Sequence, residues 1–416
     1  MTRRTAYGLA AAAAVLPRLA VLLHERGLIL SQYAEKSDRF AKTFVDHGTF
    51  GFVPGQPSAY TQPLYGWFLI PIYRIFGRHW WAVGPAQIAV AACTAMLVLS
   101  IGRRFLSVRW ATAAAVVATL NPYLVWHDVH VNREILDQLL AAAIVLLMLA
   151  VAERPSVRLS APLGAVSGLA MLGNTRLFAL PVVLAAFLLW RRGVGRATVL
   201  AAAALLAFAA LAVAPWLLRN RVEVGCWALT TDGRALYKAN DRFTYSILAH
   251  GGWIDDVPRI RNAPYNPEEA AALYVQYGRV VHVDECRQMT YYERLAFTYW
   301  RRHPGGKARL MAQAASMLWS PKVTETSGRN RASSLDLGRR WVAPVYTVVL
   351  YVLAAAGIWL VPRPFAVLAV LLLAYNTVAA LAFAGATRYR VPWDFLIALC
   401  AAAGAVWAAG RVRGNA

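Results

Sequence analysis

The sequence predicts an all-α polytopic membrane protein of about ten transmembrane helices carrying a small α-rich extracytoplasmic domain. Three observations point there. Hydrophobic residues make up 59% of the 416 and charged residues only 15%, where a soluble globular chain has about a quarter charged. The apolar residues come in runs long enough to cross about 30 Å of hydrocarbon as helix, as at 197–218, 346–361, 365–384 and 395–409; the shorter runs reach across with their flanks or by tilt. In lipid the backbone must satisfy its own polar groups, so the runs are helices. Arginine then sits at the mouths of these runs: Arg3, Arg4, Arg103, Arg104, Arg109, Arg154, Arg158, Arg191, Arg192, Arg196, Arg363, Arg411 and Arg413, with Glu153 nearly alone among the acids there. The net charge of +22 is therefore a positive-inside pattern and not a nucleic-acid groove. The preference for Ala, Arg and Val over Lys and Ile suggests a GC-rich bacterial genome.

Placing the Arg-rich connections in the cytoplasm sets the order. Helix 1 runs out over 6–24. Arg3 and Arg4 before its alanine-rich centre resemble a signal peptide, but no small-residue cleavage site follows, so it reads as a retained first helix; Arg18 inside it stands out as unplaced. A first external loop spans 25–81. Helix 2 returns over 83–101 and helix 3 goes out over 110–124. An external turn with His127, Asp128, His130, Arg133 and Glu134 leads into helix 4. Helices 5 and 6 form a hairpin around Gly173-Asn174-Thr175-Arg176, and helix 7 goes out over 197–218. The N-terminal transmembrane module is thus 1–218. From 219 to 340 the chain is polar and mixed, long enough for a separate extracytoplasmic domain, with a strand-like start at 223–231. A C-terminal module, 341–416, adds helices 8 to 10, with Thr387-Arg388-Tyr389-Arg390 as their outer turn. Both termini are expected in the cytoplasm, in the cell's inner membrane. The two halves differ, since only the second carries a large external domain, which weighs against an inverted-repeat transporter.

Of four cysteines, Cys93 and Cys400 fall in helices and read as buried small hydrophobes. Cys226 and Cys286 fall in the external domain, where an oxidising compartment allows a disulfide; closing a loop of about 60 residues would stabilise the fold by on the order of 4 kcal/mol.

The ionisable residues that remain cluster at outer helix mouths: Glu35, Asp38, His127, Asp128, Glu134, Arg176, Arg388 and Arg390. Charges at the membrane edge are costly and commonly functional. The first loop has Glu35 and Asp38 just after helix 1, then Phe40, Ala41 and Phe44, the Gly48-Thr49-Phe50-Gly51 turn and Pro63-Leu64-Tyr65-Gly66-Trp67. Tyr60, Tyr65, Trp67, Tyr73, Trp80 and Trp81 form an interfacial aromatic load.

This loop resembles the opening of the GT-C glycosyltransferases, in the branch of the bacterial protein O-mannosyltransferase-like proteins and lipid A aminoarabinose transferase. The likeness continues in order through Asn121-Pro122 with Glu134, Gly168-Leu169-Ala170 with Thr175-Arg176, Pro215-Trp216-Leu217-Leu218-Arg219-Asn220, and Thr387-Arg388-Tyr389-Arg390-Val391-Pro392. Leu177 and Gly66 stand where that family commonly has proline. The resemblance implies a GT-C-like fold and an inverting glycosyltransferase that moves a sugar, hexosyl or pentosyl, from a polyprenyl-phosphate carrier to a glycan, lipid or protein acceptor of the cell envelope on the outer face, in contact with membrane lipid and with no nucleic acid. Such transfer needs a carboxylate to take the acceptor's proton and cations to face the departing phosphate. Asp38 is the expected base, with Glu35 as the alternative and Asp128 as a second-loop partner. Asp before a helix is also a good N-cap, so capping competes with catalysis at Asp38. Arg388 and Arg390, side by side if their turn is extended, are expected on the phosphate, with Arg176, His127, His130, Glu134 and Tyr65 around the donor. A lipid phosphate is already a stable leaving group, so no cofactor is required. A divalent metal on Asp38, Asp128, His127 and His130 is conceivable, but hydrogen bonding is the favoured role for the two histidines. A lipid-linked-sugar transporter or flippase, and a non-catalytic envelope assembly protein, are the competing readings.

The arginine placement predicts that a reporter active only in the cytoplasm is silent when fused near Asn266; activity there would overturn the topology.

Overall fold

The computed structural model describes residues 1–32, 34–324 and 334–414. Ten apolar helices follow one another: α1 (Arg3–Glu25), α2 (Trp80–Gly102), α3 (Val108–Thr119), α4 (Glu134–Glu153), α5 (Val157–Gly173), α6 (Leu180–Arg192), α7 (Arg196–Glu223), α8 (Ser334–Gly357), α9 (Arg363–Ala382) and α10 (Asp394–Gly414). Among the described residues seven helices are long and apolar enough to cross a membrane, and α3 and α5 are shorter apolar helices. Among the described residues there is no strand, only an isolated bridge between Val53 and Gln56. The all-α polytopic expectation and its count of about ten helices are met.

Close approach is built from small residues, as is usual where lipid supplies no hydrophobic drive between helices. On α1, Ala6, Ala10, Ala14, Arg18 and Leu22 recur every fourth residue and are buried, a stripe that meets α2 and α3. Gly164 and Gly168 of α5 face α7 so tightly that a Cβ on them would stand 2.3 Å from the Leu205 carbonyl oxygen and 2.6 Å from that of Ala209. Gly357 of α8 and Gly404 of α10 make a similar contact, each against the other helix's backbone.

Element limits depart from the hydropathy reading where proline or a cap intervenes. The third span stops at Thr119; Asn121 caps a separate short helix, Pro122–His127, whose first residue is proline. α7 runs on to Glu223, past the 218 boundary, and α8 already begins at Ser334. The stretch 224–231 is not a strand. Its carbonyls are taken by side chains of α7: Trp216 Nε1 donates to Leu229 O at 2.8 Å and Asn220 Nδ2 to Ala228 O at 2.8 Å, leaving no edge to pair. Helices Pro267–Tyr277, Glu285–Arg302 and Pro304–Trp319 fill most of the polar segment. Cys226 and Cys286 form a disulfide. Cys400 is buried, but Cys93 lies on the outward surface of α2, a lipid-facing position.

The first loop is also helical. Lys36–His47 packs on Pro63–Phe76, and the latter buries Tyr65, Leu69 and Tyr73 while exposing Trp67, Ile75 and Phe76, as expected of a helix lying at the interface.

Arg18, unplaced by sequence, is explained by packing. It is 1% exposed, and its Nε and Nη2 donate to Asp128 Oδ2 at 2.9 and 2.7 Å, with Nη1 reaching Ala14 O and Thr119 Oγ1. Gln138 Nε2 fills Asp128 Oδ1 at 2.8 Å. Breaking a buried ion pair strands its partner and costs about 3–5 kcal/mol. Arg18→Met is expected to lower thermal stability accordingly, and Arg18→Met combined with Asp128→Asn, which keeps an acceptor for Gln138, to recover most of it. An unchanged melting temperature in Arg18→Met would show that the pair does not hold this turn.

Candidate active site

Four helix connections meet in one place. Glu35 caps the Lys36–His47 helix in extended backbone, and its N–H donates to Val131 O at 3.0 Å. Its carboxylate accepts from the Arg133 backbone N–H at 3.1 Å and lies 3.3 Å from Arg133 Nη1. The first loop is thereby pinned to the turn before α4. Burial raises the Glu35 pKa above the ordinary carboxylate value; the nearby Arg133 opposes that rise and Glu134 adds to it. Arg133 also donates to Gln62 Oε1 at 2.5 Å, and Gln62 Nε2 donates to Thr175 Oγ1 at 3.3 Å. A polar chain thus runs from Glu35 to the turn between α5 and α6.

That turn, Thr175–Leu177, is a single 3₁₀ turn capped by Asn174, whose Oδ1 accepts from Arg176 N–H. Its geometry sends the Arg176 side chain inward. The guanidinium stacks on Tyr389 at 3.8 Å from the ring centroid and donates through Nη2 to Ala384 O at 2.6 Å. Arg176 is buried, yet its Nε and Nη1 have no hydrogen-bond partner among the described residues. Burial pushes its pKa down to about 10.

Beside it opens a cavity of about 460 Å³ between the helix mouths and the polar segment. Gln62, Arg133, Asn174, Arg176 and Tyr389, with the carboxylates of Asp232 and Glu293, form its polar side, while Phe178, Trp227, Leu229 and Phe383 form an apolar side. Phe178 and Trp227 are each more than 60% exposed, so the apolar side opens outward. A second cavity, about 540 Å³, lies between the first loop and the disulfide, with Gln56, Ser58, Glu223, Asp284 and Glu285 on its wall.

The residues singled out by sequence divide into two groups. Glu35, Glu134, Arg176 and Arg388 gather near Arg133; Arg388 donates to Tyr389 Oη at 2.8 Å and faces the Trp253 ring. His127 Nε2 lies 3.3 Å from Glu134 Oε2. The others are engaged in holding the fold. Asp38 is clamped by Tyr73 Oη and by the Arg78 guanidinium at 2.8 and 2.9 Å, so its lone pairs are occupied; it makes no N-cap hydrogen bond, since the cap is Glu35. Asp128 belongs to Arg18. The Tyr65 hydroxyl donates to Gln87, which donates in turn to Asp128 O and His130 O. His130 is buried against Trp126, its Nδ1 2.8 Å from Trp126 O, and burial lowers its pKa. Arg390 does not accompany Arg388. Thr387–Arg390 is a helical turn, not an extended one, so the two guanidiniums diverge, and Arg390 pairs with Asp394 at 3.1 Å and donates to Leu318 O and Ser320 O. No three His, Cys, Asp or Glu side chains among the described residues converge as a metal set.

Arg133, Gln62, Asn174 and Tyr389 form much of the cavity wall without having been singled out for it. Arg133 and Asn174 stand next to motif residues Glu134 and Thr175, and that adjacency was the available signal; nothing in sequence brings Gln62 to Arg133.

Residues 56–218 match the model of the family described as dolichyl-phosphate-mannose-protein mannosyltransferase. Comparison with curated proteins gives no match. Among solved structures the chain is similar to ArnT from Cupriavidus metallidurans bound to undecaprenyl phosphate, at 18% identity over 96% of this chain and 79% of that one, with a TM-score of 0.43. The apo state of ArnT from the same organism gives 18%, 95% and 77%, with a TM-score of 0.35. Over 56–218 the chain carries the sequence pattern of the dolichyl-phosphate-mannose-protein mannosyltransferases, and the resemblance to the GT-C glycosyltransferases is borne out.

Proposed function

We propose that the protein is an inverting glycosyltransferase of the cytoplasmic membrane that moves a sugar from a polyprenyl-phosphate carrier to an acceptor on the outer face, both termini lying inside. The observation that carries this reading is the two-sided cavity: a buried guanidinium with Nε and Nη1 open on one wall and an exposed aromatic and aliphatic wall opposite. A lipid phosphate has that same division into anion and apolar tail. The family match over 56–218 supports the same class of donor.

In this reading Arg176 takes the phosphate, with Arg133 and Arg388 beside it, because guanidinium suits phosphate geometry and does not deprotonate at working pH. The acceptor hydroxyl attacks the sugar's anomeric carbon from the face opposite the phosphate. Its proton passes to Glu35, the anomeric C–O bond to phosphate breaks, and the electron pair leaves on a phosphate oxygen held by the arginines. Glu35 is preferred to Asp38 as base because Asp38 is saturated by Arg78 and Tyr73, whereas Glu35 adjoins Arg133 at the cavity. Since burial raises the Glu35 pKa, its basic form is lost as pH falls through that raised value. The acid limb of the rate profile is therefore expected above the usual carboxylate range, with rate rising as pH increases.

The decisive assay is purified protein in lipid nanodiscs with labelled polyprenyl-phosphate sugars, scored for transfer or slow hydrolysis. Arg176→Gln is expected to weaken donor binding about tenfold or more, as loss of a charge-assisted bond of roughly 1.5–3 kcal/mol implies. Glu35→Gln should lower turnover about 10²-fold with donor binding kept, and Asp38→Asn should act on thermal stability before turnover. Full turnover in Glu35→Gln would remove Glu35 as base. Donor binding without transfer or hydrolysis in the wild type, tried with several acceptor classes, would favour a carrier of lipid-linked sugars.

A further inference from the structure

Asp137 lies one turn into α4 from Arg133 and is 5% exposed. Its Oδ2 accepts from Asn174 Nδ2 at 3.0 Å, while its Oδ1 has no hydrogen-bond partner among the described residues. Burying a carboxylate is costly, and holding an amide alone does not require one. Three features give the arrangement a purpose. The residue beside Asn174 is Gly173, where a Cβ would come within 3.3 Å of Asp137 Oδ1, so this small residue leaves the carboxylate room. Asn174 uses its other end, Oδ1, to accept from Arg176 N–H at 3.2 Å. The charges of Arg133 and Arg176 act on Asp137 against those of Glu35 and Glu134, and among the described residues no ion pair locks either guanidinium onto it.

An asparagine amide has one donating and one accepting end. The Asp137 oxygen accepts from the NH₂ end, which holds that end toward α4 and leaves the C=O end toward the 3₁₀ turn. Removing that acceptor frees the amide to rotate and uncaps the turn, and the turn is what directs Arg176 to Tyr389 and the cavity. We infer that Asp137 is a positioning residue: through Asn174 it sets the direction in which Arg176 meets an anionic ligand. The inference rests on the reading of the cavity as a lipid-phosphate site.

A polyprenyl monophosphate without sugar is the probe, titrated against the protein in nanodiscs. Asp137→Asn still offers an acceptor to Asn174 while removing the charge, so its affinity stays within about threefold of wild type or rises. Asp137→Ala and Asn174→Ala each weaken binding about tenfold, and the double variant is no weaker than either single one, as expected of two residues acting through one contact. In the transfer assay the donor KM rises in both alanine variants with kcat at saturation kept within about threefold, a split that general destabilisation does not produce. Asp137→Asn as weak as Asp137→Ala would show a role for the charge and overturn the inference, as would additive losses or unchanged binding in Asp137→Ala. If Asp137→Ala does not fold, Asn174→Ala tests the same contact from its other end, and unchanged binding there overturns it equally. A wild-type protein that binds no polyprenyl phosphate would overturn the phosphate-site reading itself, which is a separate outcome from a binding wild type with an indifferent Asp137→Ala.

Discussion

The contact on which the architecture around the cavity depends is the ion pair between Arg18 and Asp128. An arginine in the middle of an apolar, alanine-lined stripe cannot be left without an anion, and the acid buried on the same helix, Glu25, lies seven residues further on, beside His130. Asp128 comes to it from the turn after Pro122–His127, and Gln138 from α4 closes the other oxygen. That pairing sets the depth of the turn relative to α1. With the turn in place, Gln87 binds two of its carbonyls, Val131 O receives Glu35 N–H, and Arg133 is delivered to the Glu35 carboxylate. The cluster at the helix mouths is downstream of one buried pair.

The same accounting separates structural charge from functional charge. Arg390 and Arg176 are both buried arginines at turns between helices. Arg390 has a carboxylate, two backbone carbonyls and a helical turn that directs it inward, so its charge is already answered. Arg176 has one carbonyl and the face of Tyr389, a weak return for a desolvated cation. Asp38 and Glu35 divide likewise. Asp38 accepts from a guanidinium and a phenol together; Glu35 shares its arginine with Gln62 and keeps a raised affinity for a proton. What distinguishes a site residue here is the bonding left over, not residue type or proximity to the membrane edge.

This explains what could be read from sequence. The spans were legible because hydrocarbon imposes long apolar runs whatever the neighbours, and the positions of Arg103, Arg104, Arg191 and Arg192 mark one set of their ends. The pairing of Cys226 with Cys286 was legible because both fall in the polar segment. Partner choice was not. Arg18 and Asp128 are 110 residues apart, and no local pattern joins them. Arg388 and Arg390 appeared as neighbours on one side because an extended turn was assumed; the chain instead coils through Thr387–Arg390, and the two-residue spacing then separates them. Glu35 and Asp38 could not be ranked, since each is an acid at the start of the same helix and only Arg78 and Arg133, from two other segments, tell them apart.

Charge balance at the cavity also limits what could occupy it. Arg133 is matched by Glu35 at 3.3 Å, so a second anion there would have to share it. Arg388 donates to the Tyr389 hydroxyl and faces the Trp253 ring, and the charges of Glu35, Glu134 and Asp255 also act on it. Arg176 keeps Nε and Nη1 without a hydrogen-bond partner among the described residues. A neutral sugar could use those donors but would leave the charge unanswered in a poorly solvated place, whereas a monoanion answers it at one stroke. The apolar residues near it, Phe178, Phe383 and Trp227, make a small hydrophilic anion an incomplete ligand, because it would leave that wall in water. An amphiphile with a phosphate at the boundary between its polar and apolar parts would satisfy both walls together, with Arg176, in the turn between α5 and α6, at that boundary.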